Sequence, residues 1–148
     1  MKWKLTGLLL SMLLCIPPLQ AQTDRSQDLG DYIVYYNALP TEILQANIAQ
    51  QYGISRSKFR GFITISVQKK TTGNSGIPVN AEINISASNL TGQSKTLTLR
   101  RVKEGPSIYY VDDFRIANME TLNFKLQIEP ENSHKNLTVN FSQQFFTN

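Results

Sequence analysis

The feature that most constrains this chain is a period of two. Leu122, Phe124, Leu126 and Ile128 alternate with Asn123, Lys125 and Gln127, and Pro130 ends the run. Such a pattern gives a strand one buried and one wet face, and it does not fit a helix, whose faces recur roughly every 3.6 residues. The same alternation recurs along the chain. Ile63, Ile65 and Val67 oppose Thr64, Ser66 and Gln68, while Ala81, Ile83, Ile85 and Ala87 oppose Glu82, Asn84, Ser86 and Ser88. Leu137, Val139, Phe141 and Phe145 share one side of the last run. Tyr32 to Tyr36 and Ile108 to Val111 are β-branched or aromatic nearly throughout. Gly73-Asn74-Ser75-Gly76 and Gly105-Pro106 mark turns. Leu97 and Leu99 begin a further strand with which Val102 is out of phase, and a bulge near Arg100-Arg101 would restore the register.

One stretch breaks the period. After Pro40, Leu44, Ile48 and Tyr52 fall one helical turn apart with Ala49 beside them. This spacing predicts a short amphipathic helix over 41–52, capped by Thr41 and ended by a left-handed Gly53. The expected fold is all-β: an antiparallel immunoglobulin-like β-sandwich of about seven strands, with one short amphipathic helix near the N-terminus. A small closed barrel is the alternative that pattern alone leaves open.

The chain opens Met1-Lys2-Trp3-Lys4, continues with an apolar run over 5–16 and reaches Pro17-Pro18-Leu19-Gln20-Ala21. A positive start, a short apolar core and a small residue at the end are the parts of a cleavable secretory signal. The apolar run is short of the ~20 residues of a membrane span. Leu14 stands before Cys15 where a lipoprotein signal wants a small residue. The expected organisation is therefore a signal peptide over 1–21, a flexible polar leader over 22–30 and one domain over 31–148. The expected compartment is the periplasm, with no transmembrane segment in the mature chain.

Removing the signal takes Lys2, Lys4 and Cys15 from a chain with 15 basic and 11 acidic residues and a formal charge of +4. No cysteine remains, so the fold has no disulfide and rests on burial. One histidine and no mature cysteine exclude the usual zinc ligand sets and a dithiol redox pair, so no metal and no cofactor are expected. No basic stripe of the kind that tracks nucleic acid is present.

Several residue groups are candidate sites. His134, the only histidine, lies in a polar turn with no nucleophile motif to serve it. Asp112 and Asp113 are adjacent, so on a strand they point apart, and the expected arrangement is a turn in which one of them pairs with Arg115. The tyrosines at 32, 35, 36, 109 and 110 belong mainly in core and rim positions. Asn84, Asn89, Asn136 and Asn140 each open an Asn-x-Ser/Thr triplet, a glycan acceptor in a eukaryotic secreted chain and a frequent coincidence in one rich in these residues. The best binding candidates are Arg56, Lys58 and Arg60. On an extended segment they would project from one face as a row for a carboxylate, a phosphate or an anionic surface. Such cations also serve as edge protection or pair with nearby acids.

Two segments carry a resemblance: Gly30-Asp31-Tyr32-x-Val34-x-Tyr36-Asn37-Ala38, and Tyr52-Gly53-Ile54-x-Arg56-Ser57-Lys58-x-Arg60-Gly61. With the ending Leu126-x-Ile128-x-Pro130 and Phe141-Ser142-Gln143-Gln144-Phe145-Phe146, the chain resembles an uncharacterised family of small exported gammaproteobacterial proteins, domain of unknown function 4426. The resemblance implies a periplasmic protein and transfers no catalytic residue, ligand or partner.

The functional expectation is a non-enzymatic periplasmic module that binds an envelope protein or an anionic envelope component. The alternative is a periplasmic chaperone or assembly factor that lends a strand edge to unfolded clients. A glycan- or cell-wall-directed hydrolase is disfavoured, because no carboxylate pair, nucleophile motif or metal set is recognisable.

Overall fold

A computed structural model describes residues 25–73 and 76–148. The segment expected to be a signal peptide, the first residues of the expected leader and the middle of the 73–76 turn lie outside the described residues. Within them, ten strands form two antiparallel sheets. The strands are β1 (Ser26–Asp28), β2 (Tyr32–Pro40), β3 (Arg60–Lys69), β4 (Ile77–Pro78), β5 (Ala81–Asn89), β6 (Ser94–Lys95), β7 (Arg100–Glu104), β8 (Ser107–Arg115), β9 (Glu120–Pro130) and β10 (Leu137–Phe145). One sheet runs β1-β2-β3-β8-β7, with β4 on β3, and the other runs β10-β9-β5-β6. Among the described residues no strand pairing joins the two sheets, so the fold is all-β and two-layered rather than one closed barrel.

The core lies between the layers, where the alternating apolar residues converge. Val34, Ile63, Ile65 and Val67 come from the first sheet; Leu122, Leu126, Ile128 and Val139 come from the second. Phe114 of β8 bridges the layers, meeting Phe124 at 5.7 Å and Phe145 at 5.8 Å with rings edge to face. Each buried aliphatic or phenyl side chain contributes roughly 1.5–3 kcal/mol of transfer free energy. Gly61 lies against Phe114 because nothing larger fits: a Cβ there would stand 2.6 Å from the ring.

The first sheet is also covered on its outer face. Phe62 and Val111 are buried there under Ile54, with Leu39, Leu44, Tyr52, Val102 and Tyr109 packed around them. The cover is the connection between β2 and β3. It is not the single 41–52 helix that the spacing predicts. A 3-10 turn (Thr41–Ile43) is followed by extended backbone at Leu44 and Gln45, then by α1 (Ala46–Gln51). The break lets Leu44 reach the sheet before α1 begins. Gly53 takes φ +65° at the helix end, with Ile54 N–H bonded to Ala49 O at 2.8 Å and Gly53 N–H to Gln50 O at 3.1 Å. That paired closure is a Schellman end, and it folds Ile54 onto the sheet.

Three further expectations are corrected. The leader over 22–30 is not loose throughout: residues 26–28 pair with 33–35 of β2 as the strand β1. There is no strand over 97–99 and hence no bulge at Arg100; β7 begins at Arg100. Leu97 and Leu99 pack on the main core while Val102 packs on the outer cluster, so the change of phase is a change of layer face. Asp112 and Asp113 lie within β8 rather than in a turn, and neither pairs with Arg115.

Candidate functional site

Arg56, Lys58 and Arg60 do not form a row. Only Arg60 belongs to a strand, and residues 54–59 are irregular. Thr41 fixes that segment. Its hydroxyl, fully buried, accepts the Ser57 N–H at 2.8 Å and faces Ser57 O at 2.9 Å and Ser55 O at 3.1 Å. Thr41 is therefore a latch across the β2–β3 connection rather than the helix cap expected of it.

Each of the three cations has its own neighbour. Arg56 turns back and donates through Nη2 to Glu42 O at 2.8 Å. Lys58 stands with Nζ 5.2 Å from the centre of the Phe59 ring, an exposed cation–π contact. Arg60 is 2.5 Å from Asp113 through Nε and reaches Asp113 O through Nη2 at 3.3 Å. The ion pair is diagonal across β3 and β8, because Phe62 is the residue opposite Asp113 and Arg115 the one opposite Arg60. The other acid, Asp112, accepts the Thr98 N–H at 2.7 Å. The two neighbouring carboxylates thus serve separate partners.

Sequence reasoning missed Arg115. It is exposed, faces Arg60 across the ladder, and lines with Ser57, Phe59, Arg60 and Ile116 a concavity of about 470 Å³. Two cations directly opposite repel; Asp113 neutralises Arg60, and Arg115 has no ion partner among the described residues. The same end of the sandwich is apolar. Phe59 is 55% exposed, Met119 64% and Phe146 56%. Ile116 N–H bonds Phe59 O at 3.0 Å and Thr147 N–H bonds Asn118 Oδ1 at 3.1 Å, which ties the β8–β9 turn to both flanking segments. Met119 holds φ 56°, a left-handed conformation uncommon for a residue with a side chain.

Glu120 anchors that turn from beneath. It accepts from Lys95 at 2.8 Å and from the Ala117 N–H at 2.9 Å. Burial acts to raise its pKa, but the Lys95 ammonium, the Ala117 N–H and Asn89 together hold it below the ordinary glutamate value. On the covered face, Tyr52 is pushed up to about 12 by burial and by Glu104 beside it.

Another cleft lies elsewhere. It encloses about 710 Å³ and is lined by Arg101, Tyr110, Glu82, Glu129, Glu131 and His134 among others. Its polar groups largely satisfy one another: Arg101 donates to Asn80 Oδ1 at 2.9 Å, and Asn80 donates to Glu131 at 2.8 Å. Tyr110 Oη accepts the Ala81 N–H at 2.7 Å. Glu82 and Glu129 stand opposite each other on the wet face of the second sheet, both exposed, without the apolar enclosure a catalytic acid needs. His134 is exposed beside them. Among the described residues no three His, Cys, Asp or Glu side chains gather as a metal site, and no helix is long and apolar enough to cross a membrane.

The tyrosines form no stacking platform. Tyr32 and Tyr110 are buried, Tyr36 stacks on Phe141 at 4.4 Å, and Tyr35 is 42% exposed. The Asn-x-Ser/Thr triplets also have a structural reason. Asn84-x-Ser86 and Asn140-x-Ser142 place both polar residues on the wet side of β5 and β10. Asn89 instead makes a turn, its Oδ1 accepting from Thr91 and Gln93.

The fold and this end surface define a small two-sheet β protein with a basic and apolar tip. The chain belongs to the family described as a domain of unknown function, DUF4426, whose model matches residues 26–148. It is similar to a crystal structure of a DUF4426 family protein from Pseudomonas aeruginosa PAO1, a gammaproteobacterium, at 34% identity and a TM-score of 0.70. The match covers 85% of this chain and 97% of that one. Comparison with curated proteins gives no match.

Proposed function

We infer that this protein is an exported, non-enzymatic interaction module that binds an anionic envelope component through the tip formed by Lys58, Phe59 and Arg115. Export rests on the signal pattern over 1–21. The fold reading behind it is immunoglobulin-like. Taking the seven strands of five or more residues in chain order as a to g, the layers run a-b-e-d and g-f-c, the arrangement of a constant-type immunoglobulin domain.

The single observation that carries the reading is the coincidence of an unpaired cation and exposed apolar side chains on a fixed scaffold. Arg115 has no ion partner among the described residues, and Phe59 lies exposed beside it in one concavity. Aromatic side chains, phenyl rings included, and arginine are enriched at protein interfaces. Of the three cations the sequence points to, Lys58 stays in the site. Arg60 shares the concavity but is held by Asp113, and Arg56 is turned onto Glu42.

The test is covalent crosslinking of the tagged protein in intact cells, followed by mass spectrometry, with a Lys58→Ala/Phe59→Ala/Arg115→Ala variant in parallel. The expected result is one dominant anionic partner, lost in the variant while the melting midpoint stays within a few degrees. Capture that is unchanged in the folded variant would remove the tip from the account. A broad set of unfolded envelope clients would replace this reading with the assembly-factor one.

A further inference from the structure

An edge strand presents a row of free backbone donors and acceptors, and sheets that remain alone blunt it with charge, proline, shortness or a cover. Nearly every edge stretch among the described residues carries such a device. β7 reads Arg100-Arg101-Val102-Lys103-Glu104, charged at four of five positions. β6 has two residues including Lys95, and β4 has two and ends in Pro78. β1 is three residues long, with Asp28 paired to Lys70 at 2.5 Å. Where β2 runs on past β1, the Arg25 guanidinium covers it, donating to Asn37 Oδ1 and to Ala38 O. β5 beyond β6 carries Glu82 and gives its first N–H to Tyr110 Oη.

β10 is the exception. Leu137–Phe145 is an edge of nine residues in unbroken register with β9, and it contains no Asp, Glu, Lys, Arg or Pro. One of its carbonyls, that of Gln144, is taken by the Gln143 amide at 2.8 Å. Just before the strand, Lys135 is neutralised by Asp31.

We propose that β10 pairs antiparallel with β10 of a second copy of this chain, joining two second sheets into one continuous sheet about a two-fold axis. The occupant follows from the charge pattern. Two-fold pairing brings each residue near the axis against its own copy, so any charge there would meet its like. A foreign strand imposes no such condition, and a charged edge would help to select it. β10 meets the condition for self-pairing along its whole length. Its exposed side chains near the middle, Thr138, Asn140 and Ser142, are hydroxyls and an amide, groups that both donate and accept and so can pair with themselves. On β7, self-pairing centred on Val102 would set Arg101 of each copy against Lys103 of the other. The interface is separate from the Lys58–Phe59–Arg115 tip, and either stands without the other.

The test is sedimentation equilibrium of the mature protein, comparing wild type with Asn140→Glu/Ser142→Glu. Asn140 lies opposite Lys125 on β9, so a carboxylate there suits the monomer while opposing its copy near the axis. The expected result is a concentration-dependent dimer whose dissociation constant rises about tenfold or more in the variant, with its melting curve retained. A second variant, Asn140→Cys, uses the absence of cysteine from the mature chain; it should give a disulfide-linked dimer on mild oxidation, while Asn84→Cys on β5 should not. A wild type that stays monomeric at every concentration overturns the proposal, as does a dimer unaffected by the charged variant and not linked through position 140. Capture of a foreign strand by a monomeric protein overturns the choice of occupant.

Discussion

The two sheets are finished to different degrees. The β1-β2-β3-β8-β7 sheet is buried on its inner face by the common core and on its outer face by the β2–β3 connection. Its long edge, β7, is charged. The β10-β9-β5-β6 sheet has one buried face, one face of amides, hydroxyls and a few charges, and a nine-residue edge with no charge. Two layers that share one core thus meet their surroundings in opposite ways. The difference suggests that closure of a sheet is a property of its edges and its outer cover, separate from the packing that holds the layers together.

The comparison breaks first at the covered face. Phe124→Ala in the common core should cost about 3–5 kcal/mol, and Phe62→Ala under the outer cover should cost about as much, since both side chains are nearly fully buried. Chemical denaturation measures both. A cost below about 1 kcal/mol for Phe62→Ala would make the cover a loose flap and erase the contrast between the sheets.

A middle-sized effect comes from acid. The folded pKa of Glu120 lies below its ordinary 4.5, so its contribution is fully present above that value and is lost as pH falls through the depressed pKa. Glu120→Gln should cost about 1–3 kcal/mol at neutral pH and flatten the acid limb of the stability profile. The group ties β9 to Lys95 of β6 and to the Ala117 N–H. An unchanged acid limb in the variant would mean that the tip is not held from this sheet.

The smallest effect on stability should come from the charged edge. Arg101→Thr/Lys103→Thr removes two charges from β7 and one hydrogen bond to Asn80, at a cost of about 1 kcal/mol. Self-association should nevertheless increase, because the middle of the edge then carries no charge, as in β10. No change in association would show that charge is not what keeps β7 alone.

How much of this was legible follows from what a period of two reports. It detects strands with one wet face, and β5, β9 and β10 emerge from it nearly to their ends. Helical spacing, not the period of two, placed the apolar side of the β2–β3 connection, Leu44, Ala49 and Tyr52, although not the break at Leu44 and Gln45. The period of two fails where a strand is too short to alternate, and it does not report a cover on a strand's second face. β3 alternates in the sequence, yet it also buries Phe62 on its outer face, because a separate segment folds over it. β1 is three polar residues held by β2. The cation row failed for a related reason. Spacing of two implies one face only on a strand, and 54–59 is latched by Thr41 instead. Arg60 finds Asp113 across 53 positions of sequence, a pairing set by sheet register that no local pattern contains. Arg115 was named only as a partner for its neighbouring acids; the signal that could have found it is its exposed end position on β8.

The most direct measurement of the central contrast is residue-resolved amide exchange on the mature protein at high and low concentration. The account predicts that the β10 amides not bonded to β9 are protected at high concentration and lose that protection on dilution, while the outward amides of β7 exchange quickly at both. Outward amides of β10 that exchange as fast as those of β7 at every concentration would contradict it.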